Sequence, residues 1–137
     1  MDTIAEKPEQ VIPEDVWKII CDTVYKYDYL QMDDRAKRLV EKNTQITPFD
    51  GGAFIAVGNR FDLYVVPERQ GKWNIRGEVN KYLANMAQTY DVAVVKINKR
   101  NDRSLRLAKF FGFEEVGREK HRIVLEKKLW EIGRAHV

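Results

Sequence analysis

The sequence predicts an α/β (α+β) domain in which a mixed, mostly antiparallel sheet carries helices, and three observations lead there. Residues 61–86, FDLYVVPERQGKWNIRGEVNKYLANM, change from a two-residue to a helical repeat across one glycine-containing turn. Residues 92–97 follow as a nearly unbroken apolar run, the pattern of a strand buried on both faces. A strand after such a helix usually lies parallel to the strand before it. Finally, only Gly58, Asn59 and Arg60 separate the apolar run 53–57 from the strand 61–66, and so tight a link joins antiparallel strands.

Taken in order, residues 1–12 are polar up to Val11 and Ile12 and read as a weak first strand or an arm. Pro13, Glu14 and Asp15 suit the first turn of a helix, and Val16, Ile20, Val24 and Tyr27 continue it on one face. A second helix starts at Asp33 and Asp34, carries Ala36, Leu39 and Val40 on one side, and ends at Asn43 and Thr44. Pro48, Asp50, Gly51 and Gly52 mark a loop or bulge. In the strand 61–66, Phe61, Leu63 and Val65 point one way, and Asp62, Tyr64 and Val66 the other. Pro67, which has no amide for a ladder, ends it; a polar turn, 68–72, leads to the stripe Ile75, Val79, Tyr82, Leu83 and Met86. Residues 101–111 form a short helix with Leu105, Ala108 and Phe111 in register, stopped by Gly112. Residues 113–117 and 122–128 make a hairpin with Ile123 and Leu125 on one face and Val124 on the other, its charges guarding a sheet edge.

The 137 residues suit one domain, placed at 1–130. With 44% hydrophobic and 33% charged residues the composition is that of a globular protein rather than a disordered one. No apolar run approaches the roughly 18 residues needed to cross a bilayer, and the start MDTIAEKPEQ has no secretory core, so a cytoplasmic protein without a membrane segment is expected. Cys21, the single cysteine, suits a reducing compartment. His121 and His136 are the only histidines, which leaves little for a metal site or a serine triad, and no metal is expected. A net charge of +3 with interleaved signs does not indicate nucleic acid. The last residues, EIGRAHV at 131–137, resemble the translation of a sequencing-library adapter and are set aside as a non-native tail.

Strand end, glycine-bearing turn and helix start in succession place free helix-start amides beside the end of a strand. Such amides, with the helix dipole behind them, suit a phosphate or another anion, and Arg69 and Lys72 add positive charge. The alternative is an ordinary strand-to-helix connection with solvated basic residues.

The order helix, helix, strand, strand, helix, strand, helix, strand, strand resembles that of the GNAT acetyltransferase superfamily. Residues 98–113, NKRNDRSLRLAKFFGF, are similar to its late motif, with Asn101, Ser104, Leu107, Gly112 and Phe113 in the recurring positions. The resemblance spans about residues 13–128 and implies a GNAT fold: a central mixed sheet with a splayed parallel strand pair and helices on both faces. It also implies that the central turn holds the pyrophosphate of acetyl-CoA on backbone amides, while the pantetheine arm lies in the gap beside Val65. The cofactor-binding residues so implied are Val65, Val66, Arg69, Gln70, Gly71, Lys72, Trp73, Asn74, Ile75 and Asn101. Two departures stand out. Trp73 and Ile75 replace the family's glycines, and a β-carbon there blocks the phosphate or opens the turn, at about 1 to 3 kcal/mol per strained residue. Using Gly77 instead requires a longer turn. Ala108 stands where many members have a tyrosine that protonates the leaving thiolate.

The activity implied is N-acyl transfer from acetyl-CoA to a primary amine by direct attack in a ternary complex, the oxyanion held by a backbone amide near Val65 or Val66. An amine with a lysine-like pKa costs about 4 kcal/mol to deprotonate at pH 7, and Asp62, Tyr64 and Glu68 are the candidate catalytic groups by position. The acceptor is an amine-bearing small molecule or protein, and a homodimer is one assembly to test. A second reading is a non-catalytic GNAT-fold structural or interaction protein, resembling the small GNAT-like proteins of tailed phages. Nucleic-acid binding is a third, supported only by the basic excess. Several residues carry two readings: Asn101 contacts the cofactor arm or, with Asp102, caps its helix; Trp73 stacks on a ligand or packs on the preceding strand. Tyr25, Tyr27 and Tyr29 line an acceptor pocket or form half-buried helix surface. An enzyme requires the gap beside Val65 to be open, whereas a structural module has it filled by side chains.

Overall fold

The computed structural model describes residues 10–130. Helices α1 (Glu14–Asp28) and α2 (Asp34–Asn43) precede strands β1 (Gln45–Phe49), β2 (Gly52–Val57) and β3 (Arg60–Val65). Then come α3 (Lys72–Met86), β4 (Val92–Asn98), α4 (Asp102–Phe110), β5 (Glu114–Arg118) and β6 (Arg122–Lys128). The strands form one sheet in the order β1-β2-β3-β4-β6-β5. Every neighbouring pair is antiparallel except β3 and β4. That parallel pair has a single registered partnership, Arg60 opposite Val94. It is fixed by the Val94 amide donating to the Asn59 carbonyl and by Asn59 Nδ2 donating to the Val92 carbonyl, both at 2.9 Å. Past this point the ladder stops.

Each sheet face carries its own core. On one, the α3 stripe Ile75, Val79, Leu83 and Met86 meets Phe54, Phe61, Val65, Ala93 and Val95, with Ala108, Phe111 and Phe113 closing the α4 side. Tyr82 joins through a parallel stack on Phe54 at 4.0 Å and an edge contact to Phe61. On the other face, Val16, Trp17 and Ile20 of α1 cover Ile46, Ala53 and Ile55, with Ala36, Val40 and Tyr64 packed at the margin. Strand alternation thus sends Phe61, Leu63 and Val65 toward α3, and Asp62 and Tyr64 toward α1.

Most element expectations agree with this architecture, and the differences have physical causes. The expected loop around Pro48 is largely strand: β1 pairs with β2 through Pro48 opposite Ala53, and an edge position tolerates proline because one side of it needs no amide. The first-strand alternative for residues 10–12 is not realised, because side chains take the place of a ladder. Gln10 accepts from the Ile46 amide at 2.7 Å and donates to the Thr44 carbonyl at 2.9 Å, and the Ile12 amide donates to Glu41 at 2.7 Å. Asp33 caps α2 by accepting from the Ala36 amide, but Leu39 is exposed, since the helix rests on the sheet by Ala36 and Val40 alone. In β4 only Ala93 and Val95 are buried, and Lys96, Ile97 and Asn98, at the end that β3 has left, are half-buried along open space. Gly112, at φ 89°, turns the chain so that Phe113 enters the core. The tail expected at 131–137 lies outside the described residues.

Phe54 is 1% exposed and touches three other aromatic rings, so its loss leaves a cavity that neighbours cannot close. Phe54→Ala is expected to lower unfolding stability by about 3 to 5 kcal/mol in urea titrations, with an unchanged m-value.

Candidate active site

Where β3 and β4 part, a cleft of about 610 Å³ runs through the sheet. Phe61, Asp62, Leu63, Tyr64 and Val65 line one wall, and Val95, Lys96, Ile97 and Asn98 the other. Gln70, Gly71 and Lys72 close one end, and Thr23, Tyr27 and Asp28 of α1 close the opposite end. The Val66 amide is committed to the Gly51 carbonyl at 2.8 Å, on the β2 side. Amides alternate along an antiparallel strand, so the amide of Val65 points the other way, toward the edge that β4 has vacated. Of the two donors considered for an oxyanion, Val66 is therefore engaged and Val65 faces the cleft.

The turn is built to expose amides. Residues Pro67–Arg69 make one 3-10 turn, and Gly71, at φ 116°, then caps α3. The Gly71 carbonyl takes the Asn74 and Ile75 amides at 3.1 and 3.3 Å. The amides of Gly71, Lys72 and Trp73 find no acceptor among the described residues, and they lie at the positive end of a 15-residue helix. Gln70 locks this end: its Nε2 donates to the Val65 carbonyl at 3.0 Å, and its Oε1 accepts from Arg103 of α4 at 2.7 Å. Gly77 lies inside α3, so it does not serve the turn.

The two replaced glycines are accommodated without filling the cleft. Ile75 is 1% exposed and points into the core beneath α3. Trp73 is 68% exposed and packs neither on the preceding strand nor in the cleft; its ring lies edge-on to Phe110 of α4 at 5.9 Å. Lys72 Nζ sits 4.7 Å from the Phe110 ring, and the Arg76 guanidinium is 5.6 Å from Trp73. Of the expected cofactor residues, Val65, Gln70, Gly71, Lys72, Ile75 and Asn101 line the cleft, whereas Val66, Arg69, Trp73 and Asn74 do not. Arg69 instead reaches Asp50 at 3.5 Å. Asn101 takes the capping role by accepting from the Ser104 amide at 3.1 Å while also bordering the cleft.

Among the three candidate catalytic groups, Asp62 and Tyr64 line the cleft; Glu68 is exposed on the 3-10 turn outside it. Asp62 keeps one side open to water, yet the surrounding walls strip enough hydration to raise its carboxyl above the ordinary range, against the pull of Arg60 and Arg122. Burial also raises the Tyr64 hydroxyl, and the neighbouring Asp62 charge adds to it, so Tyr64 stays protonated at neutral pH. Arg122 stands 4.0 Å from Asp28, and Lys96 is held by Glu119 at 2.7 Å. No three-residue cluster of His, Cys, Asp and Glu able to hold a metal occurs among the described residues, and none of their helices is long and apolar enough to cross a membrane.

No protein-family model matches the sequence, and no curated protein is similar to it. Solved structures do match. An N-acetyltransferase from Staphylococcus aureus superposes with a TM-score of 0.62 over 88% of this chain and 96% of its own, at 17% identity. The chain adopts the GNAT fold. A chimera of the spermidine N-acetyltransferase SpeG from Vibrio cholerae also gives 0.62, over 91% and 98%, at 13% identity. A ribosomal-protein-alanine N-acetyltransferase from Brucella melitensis gives 0.58, over 81% and 90%, at 16% identity. The splayed parallel pair expected of a GNAT fold is the β3–β4 pair.

Several contacts around the cleft left no local trace in the sequence. The Arg103–Gln70 bridge spans 33 residues. Arg100 donates to the Tyr27 carbonyl and the Tyr29 hydroxyl at 2.8 and 3.2 Å, fastening the end of α1 across 73 and 71 residues. Of the three tyrosines, Tyr27 lines the cleft, Tyr25 is exposed, and Tyr29 occupies a left-handed turn at φ 56°.

Asp62 has its folded-state pKa raised, so it favours folding while protonated and weakens the fold as pH rises through that pKa. Asp62→Asn is therefore expected to raise the Tm at pH 7.5, with the gain vanishing below about pH 4, where both side chains are neutral. Scanning calorimetry across pH checks the sign.

Proposed function

We propose that this chain is an N-acetyltransferase that takes its acetyl group from acetyl-CoA and passes it to a primary amine. The observation that supports this most is the open passage through the sheet, because it joins a helix start with free amides to a carboxylate on the cleft wall. A structural module needs no such gap. The residues present fit the co-substrate: Gly71, Lys72 and Trp73 offer unpartnered amides to a pyrophosphate, Lys72 adds charge, and the vacated edge of β3 leaves room for an amide-bearing arm. Acetyl-CoA supplies an activated thioester.

The residues of the chain do the rest. Asp62 takes a proton from the incoming ammonium, and its raised affinity for protons brings it nearer the working pH of a base. The free amine attacks the carbonyl carbon; the Val65 amide stabilises the oxygen as it gains charge. The C–S bond breaks as the C–N bond is completed. Two protons leave nitrogen in all, one ending on the thiol and one in solvent. Tyr64 keeps its proton and lines the same cleft from the α1 face, so it offers a hydrogen-bond donor there, across the sheet from Ala108, which offers none. Spermidine and a ribosomal-protein alanine, named as acceptors for two structural neighbours, both present an amine, which supports that acceptor class. A cytoplasmic location accords with a co-substrate made inside cells.

Calorimetric titration of acetyl-CoA into the full chain is expected to show binding with a Kd on the order of micromolar. Gly71→Asp, which places an acid and a β-carbon at φ 116°, is expected to weaken it at least tenfold, and more than Gly71→Ala, which carries the same backbone strain without the charge. No heat at millimolar acetyl-CoA rejects the reading. Ala108 favours one alternative, a GNAT fold that binds but does not transfer, and release of free thiol in the presence of an amine separates the two.

A further inference from the structure

A second cavity, of about 180 Å³, lies behind the wall that Asp62 and Tyr64 form, and those two residues line both spaces. It sits on the α1 and α2 face of β2 and β3. Ile20, Met32, Val40, Ile55 and Val57 supply its apolar surface. The register explains the arrangement, since Ile55 is the cross-strand partner of Asp62 and Val57 that of Arg60. The volume is that of about six water-sized groups, enough for a side chain as large as that of leucine or phenylalanine. Met32, unbranched and half-buried, gives this wall an adaptable member.

We propose that this cavity receives the carbon substituent of the acceptor, so that the preferred acceptor is a primary amine carrying one branched aliphatic or aromatic group. The inference rests on the acetyltransferase reading, because it seats the amine at Asp62. Charge decides the chemistry of the substituent. Among the described residues Asp62 is the one carboxylate lining the cavity, and an amine at the cleft already uses it. A second ammonium would sit among Ile20, Val40 and Ile55 with neutral hydroxyls, those of Thr44 and Tyr64, in place of a counter-charge, and with the Arg60 guanidinium at the same cavity repelling it. An apolar group meets neither cost.

The full chain is assayed for thiol release from acetyl-CoA with n-alkylamines of increasing length, isopentylamine, 2-phenylethylamine and 1,4-diaminobutane. Each methylene that enters the cavity is expected to lower KM about fourfold. Isopentylamine and 2-phenylethylamine should show KM values at least tenfold below that of the diamine. Val40→Phe, which fills the cavity from α2, is expected to raise KM for isopentylamine at least tenfold while leaving ethylamine within twofold; Val57→Phe, at the exposed rim, serves the same purpose if the first variant does not fold. A preference for the diamine, or a filled cavity that leaves the isopentylamine KM unchanged, overturns the inference while sparing the transfer activity. If no amine releases thiol, catalysis is refuted separately, and calorimetry with 2-phenylethylamine decides the cavity: binding lost in the filled variant supports it, and absence of binding in the parent chain ends it.

Discussion

One missing ladder organises this molecule. Between β3 and β4 the sheet is closed by a single residue pair, with Asn59 fastening both sides of it. Every other neighbouring pair of strands shares at least four registered partners. Parallel strands that part leave backbone donors and acceptors unmet, which a folded chain tolerates only where water or a ligand reaches them. Here the Val65 carbonyl is satisfied by Gln70, while the Val65 amide is left toward the open edge. The gap is therefore a place where the backbone still has bonding capacity to offer.

The two faces of β3 divide the labour that follows from this. Phe61 and Val65 are held in the α3 core with Ile75 and Leu83, so the strand cannot shift to close on β4 without breaking that packing. The intervening residues, Asp62 and Tyr64, then emerge on the α1 side, where one is partly dehydrated and the other keeps its proton. Bonds across the molecule secure the ends: Arg103 to Gln70 at the turn, and Arg100 to the end of α1. Apolar packing fixes the position of the cleft, and polar residues of the same strand give it chemistry.

Much of the fold was legible because it depends on periodicity. The α3 stripe, the alternation of β3, the late motif ending in Gly112 and Phe113, and the Asp33 cap all express local geometry that a sequence displays directly. β1 was hidden, since Gln45, Thr47 and Pro48 look like loop residues until an edge strand is known to lie there. The site was legible only in part. Asp62 and Tyr64 could be selected because alternation opposes them to Phe61 and Val65. Glu68 was selected on nearness in sequence, and the 3-10 turn carries it out of the cleft. Trp73 could not be placed beforehand, as its partner Phe110 lies on another helix. The second cavity comes from the spacing of α1 and α2 over the sheet, which no local pattern encodes.

Amide hydrogen exchange at Val65, followed by NMR with and without acetyl-CoA, bears most directly on whether the gap is a binding edge. The Val65 amide should exchange much faster than the ladder amides of β3 in the free chain, and slow by at least tenfold at saturating acetyl-CoA. A Val65 amide already protected in the free chain, or one whose exchange is the same with saturating co-substrate, would mean that this strand edge is not where acetyl-CoA is held.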